Sequence, residues 1–228
     1  MTVETWTRGT RPQLSDEAAS YVRNLIMAGA LRTGDRVRPE TISSDMGIST
    51  TPAREALQTL RAEGFLKLNP RKGFEVAELT GRDIRDLFVA QALVAGELAA
   101  RAAEKIDGPS YDALESIQSE LEKASQGHDD ALVEQLNHQF HRLINVVADA
   151  PKLAWVLSQT TRYVPSRFYS SIPGWTSATV VDHQALLSAM RTSDNASART
   201  SMSLHIEHAG VLLAEYFDAL PLAAPTSD

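Results

Sequence analysis

Ile48-Ser49-Thr50-Thr51-Pro52-Ala53-Arg54-Glu55-Ala56-Leu57 is the stretch on which the reading of this chain turns. It predicts a helix that starts at Ser49, buries Ala53, Ala56, Leu57 and Leu60, and presents Thr50, Thr51, Arg54, Gln58 and Arg61 on the other side. Ser49 suits the N-cap because its hydroxyl can accept a hydrogen bond from a first-turn amide. Pro52 is tolerated so early because the amide it lacks has no intrahelical partner there. Such a helix faces outward, and its neighbours say toward what.

Upstream, Leu14, Ala18, Val22, Leu25 and Ile26 recur at helical spacing over 13–28, with Ser15 as cap and Gly29 as stop. Leu31 to Arg36 makes a turn. Pro39 to Met46 forms a short helix with Ile42 and Met46 inward, ended by Gly47. Helix, glycine turn and capped second helix are the order of a helix-turn-helix. Downstream, Phe65-Leu66-Lys67-Leu68 and Phe74-Glu75-Val76 read as two strands flanking the tip Asn69-Pro70-Arg71-Lys72-Gly73. A hairpin placed there is a wing, and Arg71 and Lys72 at its tip suit a nucleic-acid backbone. The first 12 residues are polar and read as a flexible arm.

The 228 residues suffice for two domains, one small and one of about 100–150 residues. No apolar run approaches the roughly 18 residues a membrane span needs, and no secretory signal is visible, so a cytoplasmic location is expected. With no cysteine, disulfide and thiol chemistry are excluded. The net charge of −7 argues against a nucleic-acid binder acting over its whole surface, but the charge is unevenly divided. Residues 1–78 hold 11 Lys/Arg against 10 Asp/Glu, and residues 79–228 hold 11 against 19. A local basic face is therefore compatible with an acidic protein.

From Leu79 onward strand signals give way to helical periodicity near 81–106, 110–126, 129–148, 151–170, 176–192 and 195–219, with an unstructured tail from Pro221. The expected fold is mostly α: a winged helix-turn-helix of three helices and a β-hairpin over 1–78, then an all-α bundle of about six helices over 79–228. In the bundle, Asn137 and His141 stand four residues apart on one helical face, and His183 and His205 on later helices can complete a cluster with them.

The segments 31–36 and 46–57, with Leu60, Glu63-Gly64-Phe65 and Pro70-Arg71-Lys72-Gly73, resemble the DNA-binding domain of the GntR family of bacterial regulators over about residues 13–77. That resemblance implies a homodimer on double-stranded operator DNA, a recognition helix in the major groove and a wing tip in the adjacent minor groove. It implies contacts from Arg36, Ser49, Thr50, Thr51, Arg54, Gln58, Arg61, Arg71, Lys72 and Gly73. Arg54 suits guanine O6/N7 or a phosphate, the three hydroxyls suit phosphates or a thymine methyl, and Gln58 and Arg61 lie where the helix meets the backbone. Thr50 departs from the family, which most often has arginine there. Glu55 reads as the partner of a neighbouring arginine.

Residues 80–220 resemble the all-helical FCD effector-binding and dimerisation domain of the FadR-like branch. The resemblance implies a metal site of Asn137, His141, His183 and His205, suited to a divalent ion of the Zn, Ni or Mn class, and a small-molecule effector such as an organic acid. Where many relatives carry an effector-binding arginine, four residues before Glu97, this chain has Leu93. Arg101, Arg142, Arg162 and Arg167 are the remaining anion partners, with Tyr163, Phe168 and Tyr169 as walls and Pro165 as a kink beside them. The expected function is a transcriptional regulator, a repressor, without enzymatic activity. The alternatives are a metal sensor and a metal-dependent hydrolase; the latter lacks a positioned base, since Asp182 is expected to point away from its neighbour His183.

Overall fold

The computed structural model describes residues 14–70, 72–164, 169 and 172–219, and the chain divides into two compact units between Leu79 and Thr80. In the first, α1 (Leu14–Met27), α2 (Pro39–Met46) and α3 (Thr50–Ala62) pack beside a small antiparallel sheet of β1 (Arg36–Val37), β2 (Leu66–Asn69) and β3 (Gly73–Val76). The sheet order is β1-β3-β2, with Val37 opposite Phe74 and Asn69 opposite Gly73. Ala53, Ala56, Leu57 and Leu60 are wholly buried in α3, which packs on α1 and α2, where Ala18, Val22, Ile26 and Ile42 are buried too. Gly47 ends α2 at φ +64°, a left-handed conformation that favours glycine, and the chain turns there into α3.

Three local expectations are corrected. Arg36, read as the last residue of a turn, instead pairs together with Val37 as a third strand, too short to show any alternation. Ser15 lies inside the first turn of α1, which starts at Leu14. Ser49 takes the extended N-cap conformation, but its hydroxyl makes no capping bond and stays exposed on the helix end.

The second unit contains α4 (Gly81–Lys105), α5 (Gly108–Gln126), α6 (Asp130–Val147), α7 (Pro151–Thr161), α8 (Trp175–Arg191) and α9 (Asn195–Asp218). Thr80 and Asp83 form a reciprocal capping box on α4, and Asp107, Asp129 and Asp194 cap α5, α6 and α9. α4 and α9 approach most closely, through small residues: a Cβ added at Gly210 would lie 2.5 Å from Cβ of Phe88. Leu98, Leu114, Phe140, Ile144, Leu186 and Met202 fill the core. α7 stops at Thr161, short of the helix expected to reach residue 170. Pro165 lacks the amide that would bond back to Thr161 and disfavours helix in the residue before it. Pro165 itself, the arm 1–12 and the tail from Pro221 lie outside the described residues. No helix among the described residues is long and apolar enough to cross a membrane.

Candidate functional site

α6, α8 and α9 bring His141, His183 and His205 together, with one ring nitrogen of each lying within 4.8 Å of the others. Hydrogen bonds fix which nitrogen is free. Gln118, on α5, donates its amide N–H to Glu122 Oε1 at 2.9 Å and to the Val180 carbonyl at 3.3 Å, so its Oε1 is the acceptor facing His183 Nδ1 at 3.0 Å. His183 therefore carries its hydrogen on Nδ1, and its Nε2 is a buried lone pair without a hydrogen-bond partner. His205 Nδ1 donates to Asp182 Oδ2 at 3.4 Å, which leaves its Nε2 an acceptor. His141 Nε2 donates to that nitrogen at 3.1 Å, so to ligate through Nε2 His141 would have to carry its hydrogen on Nδ1 instead.

Burial, reinforced by the neighbouring imidazoles, holds the pKa values of His141 and His183 well below the ordinary histidine value. Both are thus neutral at neutral pH. Asn137, one turn before His141, buries an amide oxygen that also lacks a hydrogen-bond partner. Three clustered neutral imidazoles, one with an unpartnered nitrogen, and an orphaned amide oxygen are the donor set that a divalent ion of the Zn, Ni or Mn class takes, so the residues present fit such an ion.

Three supporting residues were not foreseen. Asp182, expected to point away, turns to α9 and accepts from His208 Nδ1 at 2.9 Å as well as from His205. Burial alone would raise its carboxyl pKa, but these bonds outweigh it and lower it. His208 fits no sequence pattern and acquires its place from α9 packing on α8. Gln118 is a polar residue inside the apolar stripe Leu114-Gln118-Leu121, and that interruption is its one sequence signal.

Asn137, His141 and His205 form one side of a cleft of about 1350 Å³ whose walls include Phe88, Leu157, Trp175 and Met202. Arg142 and Arg162 line it and make no ion pair among the described residues. Tyr169 lines it too, stacked on Trp175 at 5.3 Å, its phenol pKa pushed up by burial and by the Glu134 carboxylate. Leu93 and Arg101 are not in the lining. Leu93 is 72% exposed, and Arg101 bonds Glu97 at 2.7 Å, because 93, 97 and 101 run along the face of α4 opposite its buried stripe. Tyr163 is likewise not in the lining; Arg167 and Phe168 lie outside the described residues.

In the first unit, Thr50, Thr51, Arg54, Gln58 and Arg61 are all exposed along α3. Arg54 Nη2 lies 3.9 Å from Glu40 Oε1, with both side chains more than half exposed, a loose pair worth little. Glu55, expected to pair with an arginine, makes no ion pair among the described residues. A shallow groove beside α3 is lined by Arg36, Arg38, Arg54, Gln58, Lys72 and Gly73. Arg71 lies outside the described residues.

The sequence model of the FCD domain matches residues 86–208, and that of bacterial regulatory proteins, gntR family, matches residues 14–76. The chain is 27% identical over 126 residues to the uncharacterized HTH-type transcriptional regulator YdhC of Bacillus subtilis strain 168, covering 55% of this chain and 56% of that protein. The match thus spans little more than half of that relative's length. It is 24% identical over 212 residues, 91% of each chain, to the HTH-type transcriptional repressor RspR of Escherichia coli K12. Among solved structures, E. coli McbR/YncC shares the fold, with a TM-score of 0.69 at 20% identity over 91% of this chain and 100% of that one.

Proposed function

The chain belongs to the GntR family of bacterial regulatory proteins and carries its FCD domain, and from that premise we propose that it is a cytoplasmic, homodimeric transcriptional repressor whose operator binding answers to a small-molecule effector. Residues 1–78 bind DNA, and residues 79–228 hold the effector and pair the two copies. The main support is α3: one row of side chains is wholly buried, while the opposite row carries Thr50, Thr51, Arg54, Gln58 and Arg61 into solvent. Arg54 reads guanine or grips a phosphate. The hydroxyls and the helix N-terminus take phosphate oxygens, and Lys72 and Gly73 of the wing follow the adjacent backbone. The name of the relative RspR favours repression over activation.

In the second unit the effector is an organic acid seated in the cleft, with Arg142 and Arg162 near its rim. Asn137, His141, His183 and His205 would hold a divalent ion, which when bound supplies a positive, Lewis-acidic floor and ties α6 to α8 and α9. Gln118 and Asp182 keep the ligating nitrogens of His183 and His205 bare. An effector that binds one state of the dimer better than the other shifts the population, and the operator affinity with it. A second reading, in which the ion itself is the effector, draws on the two unpartnered buried donors, Asn137 Oδ1 and His183 Nε2. A mobility-shift titration on upstream DNA, with metal and candidate acids added separately and together, tests both: affinity that follows metal alone selects the second. No sequence-dependent shift with any fragment refutes both.

A further inference from the structure

Arg38 stands where its chemistry is locally unfavourable. It is the N-cap of α2, in the extended conformation of that position, and its side chain makes no capping bond. Serine, threonine, aspartate and asparagine are favoured there because their oxygens accept from first-turn amides, and a guanidinium has no acceptor to offer. Its positive charge also lies at the positive end of the helix dipole, where a cation is unfavourable. No carboxylate among the described residues pairs with it, and Glu40, two residues on, lies beside Arg54 instead. A residue that breaks a local rule without a structural return is expected at a functional site.

The backbone beneath Arg38 is held on both sides. Val37 is buried and pairs with Phe74 in the sheet, Pro39 is buried, and the Arg38 carbonyl accepts from the amides of Thr41 and Ile42 at 3.1 and 3.2 Å. The side chain itself is exposed and lines the groove beside α3 together with Arg36, Arg54, Gln58 and Lys72. Four cations thus line one groove, and Glu40 is the single carboxylate among its described lining residues. A concave surface with that balance attracts an anion. Arg38 belongs to the junction of β1 and α2, outside the helix whose exposed row is assigned to the bases. A cation fixed to the scaffold beside that helix suits the sugar-phosphate strand, where contacts add affinity and set register without reading sequence.

Resting on the DNA-binding reading above, we propose that Arg38 grips one backbone phosphate of the operator in the groove that α2 and the wing line, and so supplies affinity that every DNA sequence shares. The helix start is less stable for it. Arg54 discriminates between sequences, and Arg38 holds any of them.

The test compares wild type, Arg38→Ser and Arg38→Lys as full chains, by fluorescence anisotropy on the preferred upstream fragment and on an unrelated duplex over a range of salt, and by thermal denaturation without DNA. Arg38→Ser should weaken binding to both duplexes by the same factor, and the slope of log affinity against log salt should become shallower by about one for each chain on the DNA. Arg38→Lys keeps the charge and should keep the wild-type slope. The melting temperature of Arg38→Ser should rise, since serine supplies the missing cap and removes the cation. An unchanged slope in Arg38→Ser, a loss confined to the preferred fragment, a shallower slope in Arg38→Lys, or a lower melting temperature in Arg38→Ser overturns the proposal. Wild type that binds neither duplex overturns instead the DNA-binding reading on which it rests.

Discussion

His183, wholly buried, gives its Nδ1 hydrogen to Oε1 of Gln118 across 3.0 Å, and that one bond leaves its Nε2 a bare acceptor inside the bundle. Gln118→Ala removes the bond and frees the ring to carry its hydrogen on either nitrogen. Metal affinity should fall about 10- to 100-fold, the usual effect of losing such a support. Stability should drop by about 1–3 kcal/mol from the buried N–H left without an acceptor. Co²⁺ titration and chemical denaturation measure the two; unchanged values in both would show that Gln118 does not orient His183.

Asp182→Asn keeps the size of the side chain and removes the charge that His205 and His208 share. The amide can turn its nitrogen toward His205 and favour hydrogen on the ligating Nε2, so metal affinity should again fall about tenfold or more. Far-UV circular dichroism should not change. Metal affinity equal to wild type would contradict the assignment.

The metal-free protein should lose stability as pH falls below about 6.5. The folded pKa values of His141 and His183 are depressed by burial, so between the ordinary value and those lower values the unfolded chain binds more protons than the folded one. Their contribution is fully present above about 6.5 and is lost as the pH drops through the folded values. Melting temperatures measured from pH 8 to pH 5 should decline over the lower part of that range; a flat profile would show that neither imidazole is held neutral.

Gly210→Ala would place a methyl 2.5 Å from Cβ of Phe88, where α4 and α9 meet. The helices must part or Phe88 must leave its place, at a cost of about 1–3 kcal/mol. Thermal denaturation of the metal-free chain checks this, and a melting temperature equal to wild type would mean the two helices separate freely.

How far the sequence can be read depends on whether the signal is periodic. Ala53, Ala56, Leu57 and Leu60 repeat at the spacing of one helical face, and all four are buried. Leu93 was assigned to the effector site by family resemblance rather than by any periodicity, and α4 turns it away from the cleft. The three histidines lie on separate helices, and it was family resemblance rather than spacing that grouped them. Gln118 and Asp182 act across helices and leave no repeat in the chain; the bonds they make appear only once α5 and α9 are packed against α8.

The most direct measurement is the affinity of wild type and Arg54→Ala for DNA fragments from upstream of the gene, by fluorescence anisotropy over a range of salt. Wild type should prefer one fragment, with affinity falling as salt rises. Arg54→Ala should lose about 1–3 kcal/mol on that fragment if the guanidinium reads a base. Equal affinity for every fragment, or an Arg54→Ala chain that binds as tightly as wild type, would contradict the recognition role given to the exposed face of α3.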